Sequence, residues 1–355
     1  MGKGKVVDPA IETQQNSNKH INRLKFIGVV LTIGGIGLFS YFVYAVGVDE
    51  IYHGVVRFGI VGFAVILGIF FVRICVRAYA WKLCVHEPYS LSMRDTIPAV
   101  VIGEAMSSTI PLGILISGTA KAIAVRKHIP LVAGLSSVAT ENLFYSLVTS
   151  VFLILGGVIL LRGFAIDESL ILTINFLIFS VAILVVLGFL MVIRQWHFAS
   201  ESCEWLYQKG FLRKWLENGR LDVRLFENLI YGFYRHYPKR FLPICLFESA
   251  YFVLGICEVW FILSRLSDAY PSLLSAFLLE SVSRLISVIF KLIPFLIGVD
   301  EAGSQYVGQT VALAAGVGIT IAIIRKGRIL FWTAVGIALI ITRGLSVREF
   351  SQTER

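Results

Sequence analysis

Long runs of apolar residues, each about the length of a membrane crossing and separated by short polar stretches, dominate the chain. A helix needs roughly 20 apolar residues to cross a hydrocarbon core about 30 Å thick. Full spans are expected at 26–46, 58–81, 131–161, 170–193, 241–263, 306–324 and 329–342. Two further apolar segments are interrupted near their middles. The first, 97–125, carries Ser107, Ser108, Thr109, Pro111 and Gly113, with Gly118 beyond; the second, 272–305, carries Lys291, Pro294, Gly298, Asp300 and Gly303. Each reads as a re-entrant pair of half-helices, because irregular backbone at membrane depth is tolerated only where protein or a wet cavity satisfies it. The expected fold is all-α: a polytopic helical membrane protein of about seven spans plus two broken re-entrant helices.

Order along the chain suggests a duplication. A span, a hairpin and two more spans over 57–193 recur with opposite orientation over 241–343, the inverted-repeat logic of many transporters. Residues 1–25 form a polar tail without the layout of a removable signal peptide, so the first span is expected to stay in the membrane. The connection 194–240 is basic, and two apolar sets within it suit helices lying in the interface: Leu225, Phe226, Leu229, Ile230 and Phe233 on one face, and Trp205, Leu212, Trp215 and Leu216 beside basic residues. Residues 344–355 form a C-terminal tail. Lysines and arginines in the first tail and in 194–240 place both on the cytoplasmic side of a cytoplasmic (inner) membrane. The same rule puts Arg325, Lys326 and Arg328 in a cytoplasmic loop between the last two spans.

Composition agrees with lipid as the main solvent. Hydrophobic residues are 57% of 355, charged residues 15%, and mean hydropathy is +0.79. The formal charge of +9 sits beside the apolar runs, where it reads as topology signal and lipid-headgroup contact rather than as a nucleic-acid surface. Five cysteines lack metal-ligand spacing and read as free thiols. The histidines form no zinc motif, no Walker loop appears, and neither a metal nor another cofactor is expected.

Ionisable residues inside the apolar segments are the candidate chemistry, since each costs about 2.5–3.5 kcal/mol at a helix centre on insertion scales. Arg73 and Arg77 share a helical face, where they either grip a phosphate or, for Arg77 especially, snorkel to cytoplasmic headgroups. Glu104, Lys121 and Glu141 either compensate one another across the first hairpin or line a polar cavity where Lys121 meets an anionic headgroup. Glu280 and Arg284 have i, i+4 spacing and read as a structural ion pair. Lys291, Asp300 and Glu301 flank the second break. Glu248 and Glu258, ten residues apart on one span, point in roughly opposite directions, so at most one reaches a shared cavity; Glu248 is taken as that one.

Three regions carry a family resemblance. They are Gly103-Glu104 with Ile110-Pro111-Leu112-Gly113 and Ser117-Gly118-Thr119-Ala120-Lys121; Thr140-Glu141-Asn142-Leu143; and Ile293-Pro294 with Gly298-Val299-Asp300-Glu301-Ala302-Gly303. Together they resemble the membrane domain shared by lysylphosphatidylglycerol synthases and stand-alone flippase-like or hopanoid-associated membrane proteins. The resemblance implies lipid translocation, with Glu104, Lys121, Glu141 and Glu301 as the positions carried over. Full synthases append a soluble aminoacyl-transferring domain; this chain ends soon after Thr342, so aminoacylation is not expected.

The leading reading is a flippase or lipid transporter moving an amphipathic lipid, anionic or polyisoprenoid in type, without an ATPase of its own. The alternatives are an intramembrane enzyme on a lipid-linked substrate, with Glu104, Glu141 or Glu301 as base, and a scaffold for a lipid-synthesis enzyme. Expected partners are membrane lipids and lipid-synthesis enzymes, with self-association left open.

Overall fold

The computed structural model describes Tyr44 and residues 48–109, 113–164, 168–195, 197–209, 213–266, 272–290, 293–314 and 316–343. The expected first span at 26–46, with Pro111 and Lys291, lies outside the described residues apart from Tyr44. Among the described residues every regular element is helical: α1 Val48–Leu83, α2 Met93–Thr109, α3 Gly113–Ala124, α4 Leu131–Gly163, α5 Glu168–Arg194, α6 Phe198–Gln208, α7 Arg213–His236, α8 Phe241–Leu266, α9 Leu273–Ile289, α10 Val299–Thr310 and α11 Val317–Thr342. Short 3-10 turns at Pro238–Arg240 and Pro294–Leu296 precede α8 and α10.

Among the described residues, three stretches are long and apolar enough to cross a membrane: Tyr52–Leu83, Leu131–Gly163 and Pro238–Leu266. Large apolar side chains face outward along the helices, among them Phe176, Phe179 and Leu190 on α5 and Leu242, Leu246 and Val253 on α8. In water such a surface would be a severe aggregation liability; in lipid it is solvated.

Both interrupted segments fold back on themselves. α2 and α3 pack closely on each other, since a Cβ on Gly103 would meet the Lys121 side chain at 2.9 Å and Ser117 Oγ at 3.0 Å. α9 and α10 pack on each other across the second break, with Ser283 bonded to Asp300 and Gly303 packed against Ile286. Gly298 caps α10 at φ 84°, a backbone that side chains rarely tolerate, so this break requires glycine. Gly118 and Gly303, expected at the breaks, sit inside α3 and α10 instead. At Gly303 a Cβ would clash with Ile286, so absence of a side chain lets α9 and α10 approach; at Gly118 a Cβ would make only ordinary contact with Val138 at 3.4 Å.

One boundary differs from expectation. The two spans 306–324 and 329–342, with a basic loop between them, are replaced by α10, a short turn and one continuous helix, α11. Arg325, Lys326 and Arg328 lie mid-helix and meet Glu280, Glu301 and Glu258. Acidic partners from other helices remove the need for these cations to reach water, so they do not report a cytoplasmic loop.

Neighbour relations in the two halves match. α1 packs against α2 and α11, α8 against α9 and α4, and α1 against α8. That central pair is antiparallel: Phe58 meets Phe261 near one end and Tyr79 meets Phe247 near the other, with ring centroids 6.1 and 4.6 Å apart. Apolar clusters fill the bundle on both sides of the charged layer. One joins Phe58 and Ile66 to Val259, Ile262 and Leu279; the other joins Ile74, Ala78 and Trp81 to Ala99 and Val138. α6 pairs with α7, and α7 docks on α4 through Phe233, which stacks among Phe144, Tyr234 and Phe241.

Candidate functional site

A cavity of about 1170 Å³ opens among the helices, and its walls carry most of the intramembrane charge. Arg73, Arg77, Lys121, Arg284, Arg325 and Arg328 all line it, against two lining carboxylates, Glu104 and Asp300. The other acidic partners, Glu141, Glu258 and Glu280, are fully buried behind these cations. One wall belongs to α5 through Val181, Val185 and Gly188; this helix packs chiefly on α4 and turns Phe176, Phe179 and Leu190 outward.

The cations divide into two clusters. In the first, Arg77 reaches from α1 to Glu104 on α2 (Nη1, 2.7 Å) and Glu141 on α4 (Nε, 2.9 Å), and Lys121 on α3 donates to the other Glu141 oxygen at 3.3 Å. The Arg77 guanidinium also lies 4.5 Å from the Tyr145 ring centroid. Arg77 therefore braces the first hairpin rather than snorkelling, and Glu104 takes Arg77 rather than Lys121 as its partner. Of the two readings of this group, charge compensation describes what these atoms do; the cavity reading also survives, because Arg77, Glu104 and Lys121 all line the space.

In the second cluster, Arg73 bridges Glu258 on α8 (3.0 Å) and Glu280 on α9 (3.1 Å). Glu280 also receives Arg284 at 3.2 Å and Arg325 at 2.7 Å, while Arg328 pairs with Glu258. Four guanidinium groups thus share two carboxylates. Aromatic faces take part of the remaining positive charge: Arg73 sits 4.3 Å from the Tyr251 ring, Arg328 4.1 Å from Phe70, and Arg284 donates to Tyr145 Oη at 3.1 Å. Close approach of α8 to this cluster depends on Gly255, where a Cβ would stand 2.5 Å from Glu280 Oε1 and 2.9 Å from Arg73 Nη2.

The i, i+4 pair Glu280–Arg284 is present, but as one edge of a network across α1, α9 and α11. Arg73 and Arg77 share the cavity yet hold different carboxylates, so they do not form one two-pronged clamp. At the second break, Asp300 accepts from the Ser283 hydroxyl at 2.6 Å. Glu301 takes the Gly298 backbone N–H at 2.8 Å and pairs with Lys326, whose ammonium also faces Leu296 O at 3.4 Å. Glu301 thereby holds the turn in shape and does not line the cavity. Glu248 does not reach the cavity either: it is fully buried on α8, and neither oxygen meets a hydrogen-bond donor among the described residues. Its fellow Glu258 is the acid in the charged network.

Arg325, Arg328, Tyr145 and Tyr251 belong to the site without having been singled out by the sequence. For the arginines a signal existed, since residues three apart on one helix share a face; it was hidden by splitting 306–342 into two spans. For the tyrosines none existed beyond aromatic residues in apolar helices.

The model of the lysylphosphatidylglycerol synthase TM region matches residues 25–336. The chain belongs to this family. No curated protein and no solved structure matches it. Membership makes it an integral, multi-pass membrane protein of a family tied to lipid modification and flippase-like function.

Proposed function

We propose that this family member is a flippase or lipid transporter of a cytoplasmic (inner) membrane. A lipid headgroup passes through the cavity while its tail remains in the bilayer. The observation that carries this reading is a single cavity with two unlike walls: buried guanidinium groups on one side, and on the other an apolar helix whose opposite face is exposed to lipid. A small soluble solute needs no such apolar wall, whereas an amphipathic lipid needs both.

The antiparallel α1–α8 core and matched neighbours support an inverted repeat of α1–α4 with α8–α11 that rocks about the central pair, narrower than the expected 57–193 and 241–343 because α5 has no counterpart once 306–342 forms a single span. The N-terminus is assigned to the cytoplasm from its basic residues, and 194–240 to the interface; Ile230 and Phe233 of the expected apolar face are buried against protein, but exposed Leu221, Leu225 and Trp205, with Lys209 Nζ 3.9 Å from the Trp205 ring centroid, suit the lipid interface. Roles divide accordingly. Arg73, Arg77 and Lys121 meet the headgroup together with Arg284, Arg325 and Arg328; Glu104, Glu141 and Glu301 position those groups or the turns beside them. Energy comes from the lipid gradient, a coupled ion or downstream consumption.

The test is translocation in proteoliposomes containing only this chain, read as loss of a fluorescent lipid's accessibility to a membrane-impermeant quencher. Native protein is expected to move lipid faster than protein-free vesicles do, and Val185→Trp, which fills the α5 side of the cavity, is expected to abolish the difference. Equal rates with native protein and empty vesicles, across anionic, neutral and polyisoprenoid lipids, would overturn the proposal.

A further inference from the structure

The second cluster contains more positive charge than its own residues neutralise. Among the described residues, Arg73, Arg284, Arg325 and Arg328 form ion pairs with Glu258 and Glu280 alone, an excess of two charges inside a helix bundle. The carboxylates elsewhere on the cavity wall do not cancel it: Glu104 is held by Arg77 at 2.7 Å, and Asp300, which keeps its charge while accepting from Ser283 at 2.6 Å, makes no ion pair with these four arginines. Donor capacity is also left over. Among the described residues, buried Nε of Arg73, Arg284 and Arg328 and indole Nε1 of Trp332 have no hydrogen-bond partner, and all four residues line the cavity. Those four atoms are enclosed and closed to the cavity, so it is the surplus charge that calls for a ligand: it is costly unless an anion balances it. Arginine is the side chain suited to that anion, because its planar fork matches phosphate oxygens and it remains charged when desolvated.

We infer that Arg73, Arg284, Arg325 and Arg328 form a binding site for the phosphate of a lipid whose headgroup is a phosphate monoester or diphosphate. This inference rests on the lipid-translocation reading and names the substrate class for the same cavity. Two negative charges match the excess, which a phosphodiester with one charge matches only half. Phosphate chemistry alone also describes a free inorganic anion. The lipid is favoured because Leu153, Val181 and Val185 continue the cavity toward the membrane-facing surface of α5, offering a path for a hydrocarbon tail.

Equilibrium binding tests the site independently of transport. The purified full chain in detergent is titrated with short-chain phosphatidic acid, phosphatidylglycerol, phosphatidylcholine and inorganic phosphate, reading intrinsic tryptophan fluorescence and native mass spectra. Phosphatidic acid is expected to bind at least about tenfold tighter than phosphatidylglycerol, phosphatidylcholine not to compete, and inorganic phosphate to compete only weakly. Arg284→Gln and Arg325→Gln each leave Glu280 with two remaining arginines, so both variants are expected to fold while losing about tenfold or more in phosphatidic acid affinity. Arg284→Lys, which keeps charge but loses the fork, should fall between native and Arg284→Gln. Equal affinity for monoester and diester lipids, or binding untouched in folded Arg284→Gln and Arg325→Gln, would overturn the site. Tight inorganic phosphate binding that phosphatidic acid cannot displace would overturn the lipid as its source. Translocation of another lipid class without monoester binding would refute this inference while leaving the transport reading intact.

Discussion

The two charged clusters of the cavity use the same chemistry in different proportions. Around Glu141, two cations meet two carboxylates, and all three helices bearing them after α1 belong to the first hairpin and the helix that follows it. Around Glu280, four cations meet two carboxylates contributed by α8 and α9. A balanced buried set fixes geometry: each charge makes the desolvation of its neighbour tolerable, and nothing further is needed. An unbalanced set at the edge of a cavity holds its geometry less completely and retains attraction for an anion. Burial alone therefore does not separate structural from ligand-binding charges here, because Arg73 and Glu141 are equally enclosed. The ratio of cations to carboxylates does.

That contrast breaks most sharply at the acids. Glu280→Gln leaves four guanidinium groups around one carboxylate and is expected to destabilise the folded chain by about 3–5 kcal/mol. Thermal unfolding in detergent should register this as the largest loss in the set; an unchanged melting temperature would show that the cluster does not depend on its central acid. Glu141→Gln deprives Lys121 of its partner while Arg77 keeps Glu104, so its cost should fall at the lower end of that range. Combining it with Lys121→Met should recover part of the loss, and a double variant no better than the single would sever the proposed pairing. Gly255→Ala presses a methyl group against Glu280 and Arg73, with an expected cost of about 1–3 kcal/mol; loss of phosphatidic acid binding with retained folding would place the strain on the excess cluster.

The smallest expected effect lies outside both clusters. His86, in the turn after α1, packs edge-on to Phe233 and Tyr237, and burial holds its pKa below the ordinary value. The unfolded chain then takes up a proton that the folded one refuses. Stability from this contact is present above the unfolded pKa of about 6.5 and is lost as pH falls through it toward the depressed folded value. Melting temperature should drop modestly between pH 7.5 and 5.5 in native protein and less in His86→Phe. Identical pH profiles would remove His86 from the docking of α7.

Hydropathy made the long helices and both hairpins legible, because the requirement for about 20 apolar residues and the effect of a central proline are local properties of the chain. Candidate ionisable residues were legible for the same reason, since a charge in an apolar run stands out wherever it will pair. Their partners were not. Arg77 meets residues 27 and 64 positions away, and Arg73 residues 185 and 207 away, distances over which sequence spacing has no grip. The basic triplet on α11 was misplaced because charge bias assumes that cations seek water, and these find Glu258, Glu280 and Glu301 instead. Glu248 and Glu258 show the complementary limit: helical spacing established that they diverge without indicating which direction leads to the arginines.

The most direct test is the rate at which purified protein in proteoliposomes moves phosphatidic acid compared with phosphatidylcholine, measured alongside folded Arg325→Gln. The account predicts faster movement of phosphatidic acid than of phosphatidylcholine by the native chain, and loss of that preference in the variant. Rates equal to those of empty vesicles, or a preference unaltered by removing Arg325, would contradict it.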